Sequence, residues 1–320
     1  MAVRAGDLST ATRPRVRARD GRPRDAATPA VLVLPGYERF VAGLSPRSLT
    51  RAAVKRFPNG ELHLHVPEHV AGRRCVIVGS ISPPAGNLER LTLVAHALRR
   101  AGAELITALL PYLAYARQDR SASTESLGLA WVGELLRASG IGEVACVDLH
   151  SEQAAELLGL ALTSLSPAAL LAGALPEAWR SEVTFVAPDE GAIDRCVAVA
   201  RAVGVDRPVV WTRKRRTASG IEHLGLVGTP GRRAIVVDDI LDTGDTLVSC
   251  CRALREAGAG EIGVVATHGL FTGDRWRALL ADGVQGIWMT DTVLSRRRPA
   301  HAQIVSVAPL LAPVLEGSRY

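Results

Sequence analysis

The sequence predicts an α/β fold of two units, each a mainly parallel β-sheet flanked by helices. Three observations carry this expectation. The chain has 320 residues, about twice the length of an ordinary domain. Nine apolar runs of strand length follow one another, at residues 30–34, 75–79, 106–110, 143–147, 183–186, 209–211, 234–237, 261–266 and 286–289. Stretches of helical period separate several of them, and strands that alternate with crossover helices build parallel sheets covered on both faces.

The elements follow in order. Residues 88–101 place Leu91, Leu93, Val94 and Leu98 at helical spacing and stop at Gly102. Residues 129–138 stop before Gly140, residues 194–203 before Gly204, and residues 246–257 before Gly258, as helix C-termini commonly do. These elements group into a first unit over 30–160 and a second over 161–305. Residues 306–320 close the chain, with a helix over 305–317 broken by Pro309 and Pro313. Residues 1–29 carry seven Arg and three Asp without apolar periodicity, which predicts a disordered basic tail. The tail lacks the apolar segment of a secretory signal, and its three Asp argue against a transit peptide.

Composition excludes several classes. Hydrophobic residues make up 48% and charged residues 22%, so the chain is not globally disordered. No apolar run approaches the roughly 18 residues of a membrane helix, so no membrane partner is expected. The five cysteines form no C-x-x-C pair, which speaks against zinc ribbons and disulfide frameworks and for a cytoplasmic protein. Of the net charge of +6, the tail holds +4, so the charge does not by itself argue for a nucleic-acid-binding body, and no nucleic-acid partner is expected. Only two of the 38 basic residues are lysines, Lys55 and Lys214. Against that arginine bias, a retained lysine is a candidate for a compact point charge at a phosphate.

The strongest chemical signal is the stretch over 234–246. An apolar strand runs into Asp238 and Asp239, then into Asp242, Thr243, Gly244 and Asp245, and a helix starts near Thr246. Backbone N–H groups at such a loop and helix N-terminus form an anion site, and Thr243 and Thr246 add hydroxyl donors. Gly244 lets the backbone come close to a ligand. Asp238 and Asp239, at the carboxyl end of the strand, suit ribose hydroxyls and a metal.

This stretch resembles the phosphoribosyl-diphosphate motif shared by type I phosphoribosyltransferases and ribose-phosphate diphosphokinases (PRPP synthetases). Further stretches resemble the diphosphokinases alone: Lys55 to Glu61, Leu109 to Arg120 with Tyr115, Arg117, Gln118 and Asp119, and Asp148-Leu149-His150. Pro188-Asp189 with Gly191, and Thr267-His268-Gly269, stand behind them in the family's order. The resemblance covers about residues 30–315. It implies two phosphoribosyltransferase-like domains, the first on the ATP side and the second on the ribose 5-phosphate side. It implies an ATP site of Phe57, Asn59 and Glu61 from a neighbouring subunit with Arg117, Gln118 and Asp119. Ribose 5-phosphate would lie on Asp189, Asp238, Asp239, Asp242, Thr243, Gly244, Asp245 and Thr246. Mg²⁺ would associate with His150 and Asp189, in part through water or phosphate. Lys214 and Arg216, on a mobile polar loop, would be catalytic. The shared ATP site implies a homo-oligomer, a dimer or a multiple of dimers.

The reaction implied is transfer of the β,γ-diphosphoryl group of ATP to the C1 hydroxyl of ribose 5-phosphate, releasing AMP. Two other readings stand beside it: a PRPP-using phosphoribosyltransferase and a non-catalytic regulatory subunit. Four departures from the commoner pattern are visible. Residues 121–126 lack a basic residue, Ala192 and Asp245 stand where glycine is frequent, and Asn59 stands where Asp is frequent. The extra charge of Asp245 beside a phosphate weakens binding unless that carboxylate is turned away.

Overall fold

The computed structural model describes residues 28–43, 49–50, 53–66, 68–118, 125–217, 220–293, 295 and 297–317, with backbone alone at 50, 68, 214–217 and 220–224. The predicted tail up to residue 27 and Asp119 lie outside the described residues.

In the first half, strands β1 (Ala30–Val33), β2 (Leu49–Thr50), β3 (Ala53–Arg56), β4 (Leu62–His65) and β5 (Arg74–Val78) precede helix α1 (Gly86–Arg100). Strand β6 (Leu105–Leu110), α2 (Gly128–Ser139), β7 (Glu143–Val147), α3 (Glu152–Leu158) and β8 (Ala161–Leu165) complete it. One sheet has the order β2-β1-β5-β6-β7-β8, and every pair in it is parallel. Strands β3 and β4 form a separate antiparallel hairpin.

The second half runs through α4 (Ala168–Ala174), β9 (Val183–Ala187), α5 (Ile193–Val203), β10 (Val210–Thr217), β11 (Gly220–Val227), β12 (Arg233–Leu241) and α6 (Asp245–Glu256). Then come β13 (Glu261–Gly269), α7 (Ala278–Ala281), β14 (Gly286–Thr290), β15 (Gln303–Val305) and α8 (Ala308–Glu316). Its sheet has the order β11-β10-β9-β12-β13-β14-β15, parallel except where β10 meets β11.

Each sheet is buried on both faces. On one face of the first, Leu32, Ile77 and Leu110 pack with Leu91, Val94, Val132 and Leu136 of α1 and α2. On the other, Val31, Val76 and Leu109 pack with Leu311, Val314 and Leu315 of α8. In the second sheet, Ala234, Val236 and Val264 meet Leu247, Cys251 and Leu254 of α6, while Ile235, Val237 and Val265 meet Cys196 and Val199 of α5. Helices α2, α3 and α5 stop at Gly140, Gly159 and Gly204, each in the left-handed conformation that ends a helix without a side-chain clash.

Three expectations change. Residues 161–165, which the sequence places at the start of the second unit without a strand, form β8 and hydrogen-bond to β7 at the edge of the first sheet. Its burial is irregular, with only Leu165 buried, and its residues form no continuous apolar run. The last helix is not broken: Pro309 sits in its first turn, where no N–H is needed, and Pro313 is carried within α8. The basic stretch holding Lys214 and Arg216, expected as a loop, is strand β10. Residues 210–211 pair with β9, and from Thr212 onward β10 pairs with β11 as a two-stranded ribbon.

Candidate functional site

The carboxyl ends of both sheets' strands open on one cleft of about 1780 Å³, where turns carry side chains free of the ladder. The first domain contributes Tyr115, Arg117 and Gln118 after β6, and Asp148, Leu149 and His150 after β7. The second contributes Asp189 after β9, Asp238 and Asp239 from β12, and Thr246 from α6.

The two domains touch through these groups. His150 Nδ1 lies 2.5 Å from Asp239 Oδ2, so the histidine of one sheet meets the carboxylate of the other. Arg117 Nη1 donates to Asp242 Oδ2 at 2.8 Å, and the Thr272 hydroxyl donates to the other oxygen of Asp242. A residue read for the nucleotide thus meets one read for the sugar phosphate.

The acidic pair on β12 is divided by its surroundings. Burial, and then the Asp239 charge beside it, pushes the Asp238 carboxyl well above its ordinary range. Burial alone would push Asp239 up as well. The hydrogen bond with His150 and the Arg195 charge outweigh it and hold Asp239 below that range. Asp189 adds a further negative charge near Asp238, and its carboxylate also accepts from the Ala192 amide at 3.1 Å. These carboxylates fit a divalent cation that keeps water and substrate oxygens in its shell. Among the described residues no group of three or more His, Cys, Asp or Glu is placed to hold a metal unaided.

The loop over 242–246 has the expected form. Gly244 is left-handed at φ 92°, and a Cβ there would sit 2.5 Å from the Trp276 backbone, so glycine is needed on both counts. Asp245 opens α6, one residue before the expected start. Its carboxylate is turned away from isolation: the Thr243 hydroxyl donates to it at 2.7 Å, and Arg275 Nε pairs with it at 2.5 Å.

The residues Phe57, Asn59 and Glu61 are not brought to this cleft. They form the turn of the β3–β4 hairpin, where Phe57 N donates to Glu61 O at 2.8 Å and Glu61 N to Asn59 Oδ1 at 3.2 Å. Phe57 is exposed, with Lys55 Nζ 5.6 Å above its ring. Lys214 and Arg216 lie on the ribbon of β10, whose root is fixed beside Asp189 by a 2.5 Å bond from the Thr212 hydroxyl to Pro188 O.

A largely buried network that borders the cleft is not legible in the sequence. Asp148 holds a positive φ of 50°, which Asp tolerates better than most residues, and this turns Leu149 and His150 toward the second domain. Arg195 Nε of α5 reaches both oxygens of Asp148 at 2.8 and 2.9 Å, and the Thr267 hydroxyl donates to the same carboxylate. Asp148 belongs to the Asp148-Leu149-His150 motif. Nothing local separates Arg195 from the chain's other arginines.

His268 belongs to the same network. Its Nε2 faces the Asp148 carbonyl at 3.4 Å, and its Nδ1 faces the Thr292 hydroxyl at 2.8 Å. A carbonyl only accepts, so Nε2 carries the proton and Nδ1 accepts. Burial pushes the imidazole pKa down, against the pull of Asp148 and Asp239. Below about pH 6.5 the unfolded chain therefore binds a proton that the native site refuses, and stability falls as pH drops. Urea midpoints at about pH 7.5 and 5.5 should show this loss, and His268→Gln should shrink it. Equal losses in wild type and variant would remove His268 as the cause.

Two parallel-sheet domains meet over a polar cleft, and the second ends a central strand in paired carboxylates and a glycine loop at a helix N-terminus. This defines a protein of the phosphoribosyltransferase class with two such domains. Residues 38–140 match the N-terminal domain of ribose phosphate pyrophosphokinase, and residues 167–279 match the phosphoribosyl transferase domain. The ribose-phosphate pyrophosphokinase of Campylobacter jejuni is 31% identical, over 87% of this chain and 91% of its own length. That of Granulibacter bethesdensis is 32% identical over 94% of both chains. The crystal structure of phosphoribosylpyrophosphate synthetase from Mycobacterium smegmatis superposes with a TM-score of 0.78 at 26% identity, covering 90% of this chain and 97% of that one. The chain belongs to the ribose-phosphate pyrophosphokinase family.

Proposed function

We propose that the cleft carries out ribose-phosphate diphosphokinase chemistry with the residues it gathers. The C1 hydroxyl of ribose 5-phosphate attacks the β-phosphorus of ATP, the bond to the α-phosphate oxygen breaks, and AMP leaves with 5-phosphoribosyl 1-diphosphate formed. The observation that supports this best is the convergence of two recognition sets. Arg117 and Gln118 of one domain face the same space as Asp238, Asp239 and Thr246 of the other. A transferase that consumes the product has no use for the first set, and a non-catalytic subunit needs neither kept in register.

Each residue then has a task. Arg117 and Gln118, with Asp119, offer planar groups to the nucleotide and its phosphates. Asp238 and Asp239 accept from the ribose hydroxyls, and the loop of Asp242, Thr243, Gly244, Asp245 and Thr246 receives the 5-phosphate. Asp189 borders the same sugar site. Lys214 and Arg216, carried on the ribbon rooted beside Asp189, neutralise the transferring group. His150 and Asp189 hold Mg²⁺, in part through water, and Mg²⁺ supplies charge neutralisation for the diphosphoryl group. Phe57, Asn59 and Glu61 serve the ATP site of a neighbouring copy, which makes the active form a homo-oligomer of dimers or their multiples. No described helix is long and apolar enough to cross a membrane.

The test is direct. Incubation with Mg²⁺, ATP and ribose 5-phosphate is expected to yield AMP only when the sugar phosphate is present, and chelation of Mg²⁺ should stop it. ADP as the product would mean single-phosphoryl transfer. Consumption of 5-phosphoribosyl 1-diphosphate without AMP would favour the transferase.

A further inference from the structure

Asp245 is the first residue of α6, where backbone N–H groups are left without helical partners. Its two carboxylate oxygens are both engaged, Oδ1 by Arg275 Nε at 2.5 Å and Oδ2 by the Thr243 hydroxyl at 2.7 Å. A hydroxyl, a guanidinium and a helix N-terminus around one anion are the donors that a phosphate monoester takes. The pair does little for the fold, because the side chains of Arg275 and Asp245 are 65% and 42% exposed.

Arg275 is nevertheless anchored. Its neighbour Trp276 is buried, stands edge-on to Phe271 at 5.0 Å, and donates from Nε1 to Gly273 O at 3.2 Å. The backbone of Trp276 presses on Gly244 with no room for a Cβ. The segment that carries Arg275 is therefore built against the loop itself.

We propose that Arg275 is a ligand for the 5-phosphate of the sugar, and that Asp245 is a stand-in anion that holds Arg275 and Thr243 until the phosphate displaces it. This rests on the reading of residues 242–246 as the sugar-phosphate loop. The phosphate carries more charge than the carboxylate, so the exchange runs toward substrate and leaves Asp245 facing solvent.

The test is calorimetric titration of ribose 5-phosphate into wild type, Asp245→Ala, Arg275→Ala and the double variant, without ATP, with the AMP assay run alongside. Asp245→Ala is expected to bind about threefold tighter and Arg275→Ala about tenfold more weakly. In the Asp245→Ala background the arginine change should still weaken binding by about tenfold. If that second step costs less than about twofold, Arg275 only neutralises Asp245 and the proposal falls. Binding by Arg275→Ala equal to wild type overturns it as well, with Arg275→Gln as a check on folding. Tightening absent in Asp245→Ala removes the stand-in. The expected binding pattern without AMP formation would sink the diphosphokinase reading and leave this one standing. AMP formation with binding indifferent to Arg275 would do the reverse.

Discussion

Lys214→Ala is expected to lower the rate of AMP formation about 10³-fold or more while the thermal midpoint stays near that of wild type. Phosphoryl and diphosphoryl transfers rest on positioning and on neutralising spread charge, so, if Lys214 has the role proposed for it, its removal costs orders of magnitude. Lys214 is one of two lysines in a chain whose other 36 basic residues are arginines, so a generic surface role would have been filled by arginine. It sits on the part of β10 that pairs with β11 alone, beyond the stretch joined to β9. That ribbon lies outside the parallel part of the sheet. Lys214→Arg should recover part of the rate, because the charge returns without the compact ammonium. A wild-type rate in Lys214→Ala would show that the ribbon has no part in the chemistry.

The second large effect is structural. Arg195→Ala is expected to cost about 2 kcal/mol in urea unfolding, because it leaves a partly buried carboxylate without its charged partner. The Arg195 and Asp148 side chains are 14% and 10% exposed at the cleft, so water replaces the lost partner only in part. The Thr267 hydroxyl is then the chief remaining side-chain donor to Asp148. Removing the carboxylate too, in Asp148→Ala/Arg195→Ala, should return part of the loss, since no isolated charge is left behind. Catalysis should fall in both, because Asp148 fixes the turn that carries His150 to Asp239. A loss below about 1 kcal/mol in Arg195→Ala would place the pair among weak surface bridges instead.

Much of the site was legible in the chain itself. The stretch over 234–246 showed a strand, two acids, a glycine loop and a helix start. The structure holds β12 over Arg233–Leu241, Gly244 at φ 92° and α6 from Asp245. These features are local, set by burial of an apolar run, by a positive φ and by a capping position, so neighbouring residues reveal them. Strand β8 was missed because its mixed burial has no clean period, and the edge strands β11 and β15 were missed as well. The Lys214 ribbon reads as a loop because a run of Arg and Lys has no apolar face, while the backbone bonds to β11 that hold it are not written in side chains.

The sequence by itself determined the alternation of strand and helix, the helix stops at glycine and the order of the chemical motifs. All of these depend on residues within a turn or two of one another. Only the tertiary structure decided which motifs meet. His150 and Asp239 stand 89 residues apart, and Asp148 and Arg195 stand 47 apart, yet each pair shares a hydrogen bond across the domain boundary. Asp245, a lone excess charge in the sequence, becomes half of an ion pair once Trp276 packs against Gly244 and sets Arg275 beside it. The physical reason is range: backbone conformation and amphipathic period are short-range properties, whereas charge pairing acts through space and exists only after two sheets have packed their strand ends over one cleft.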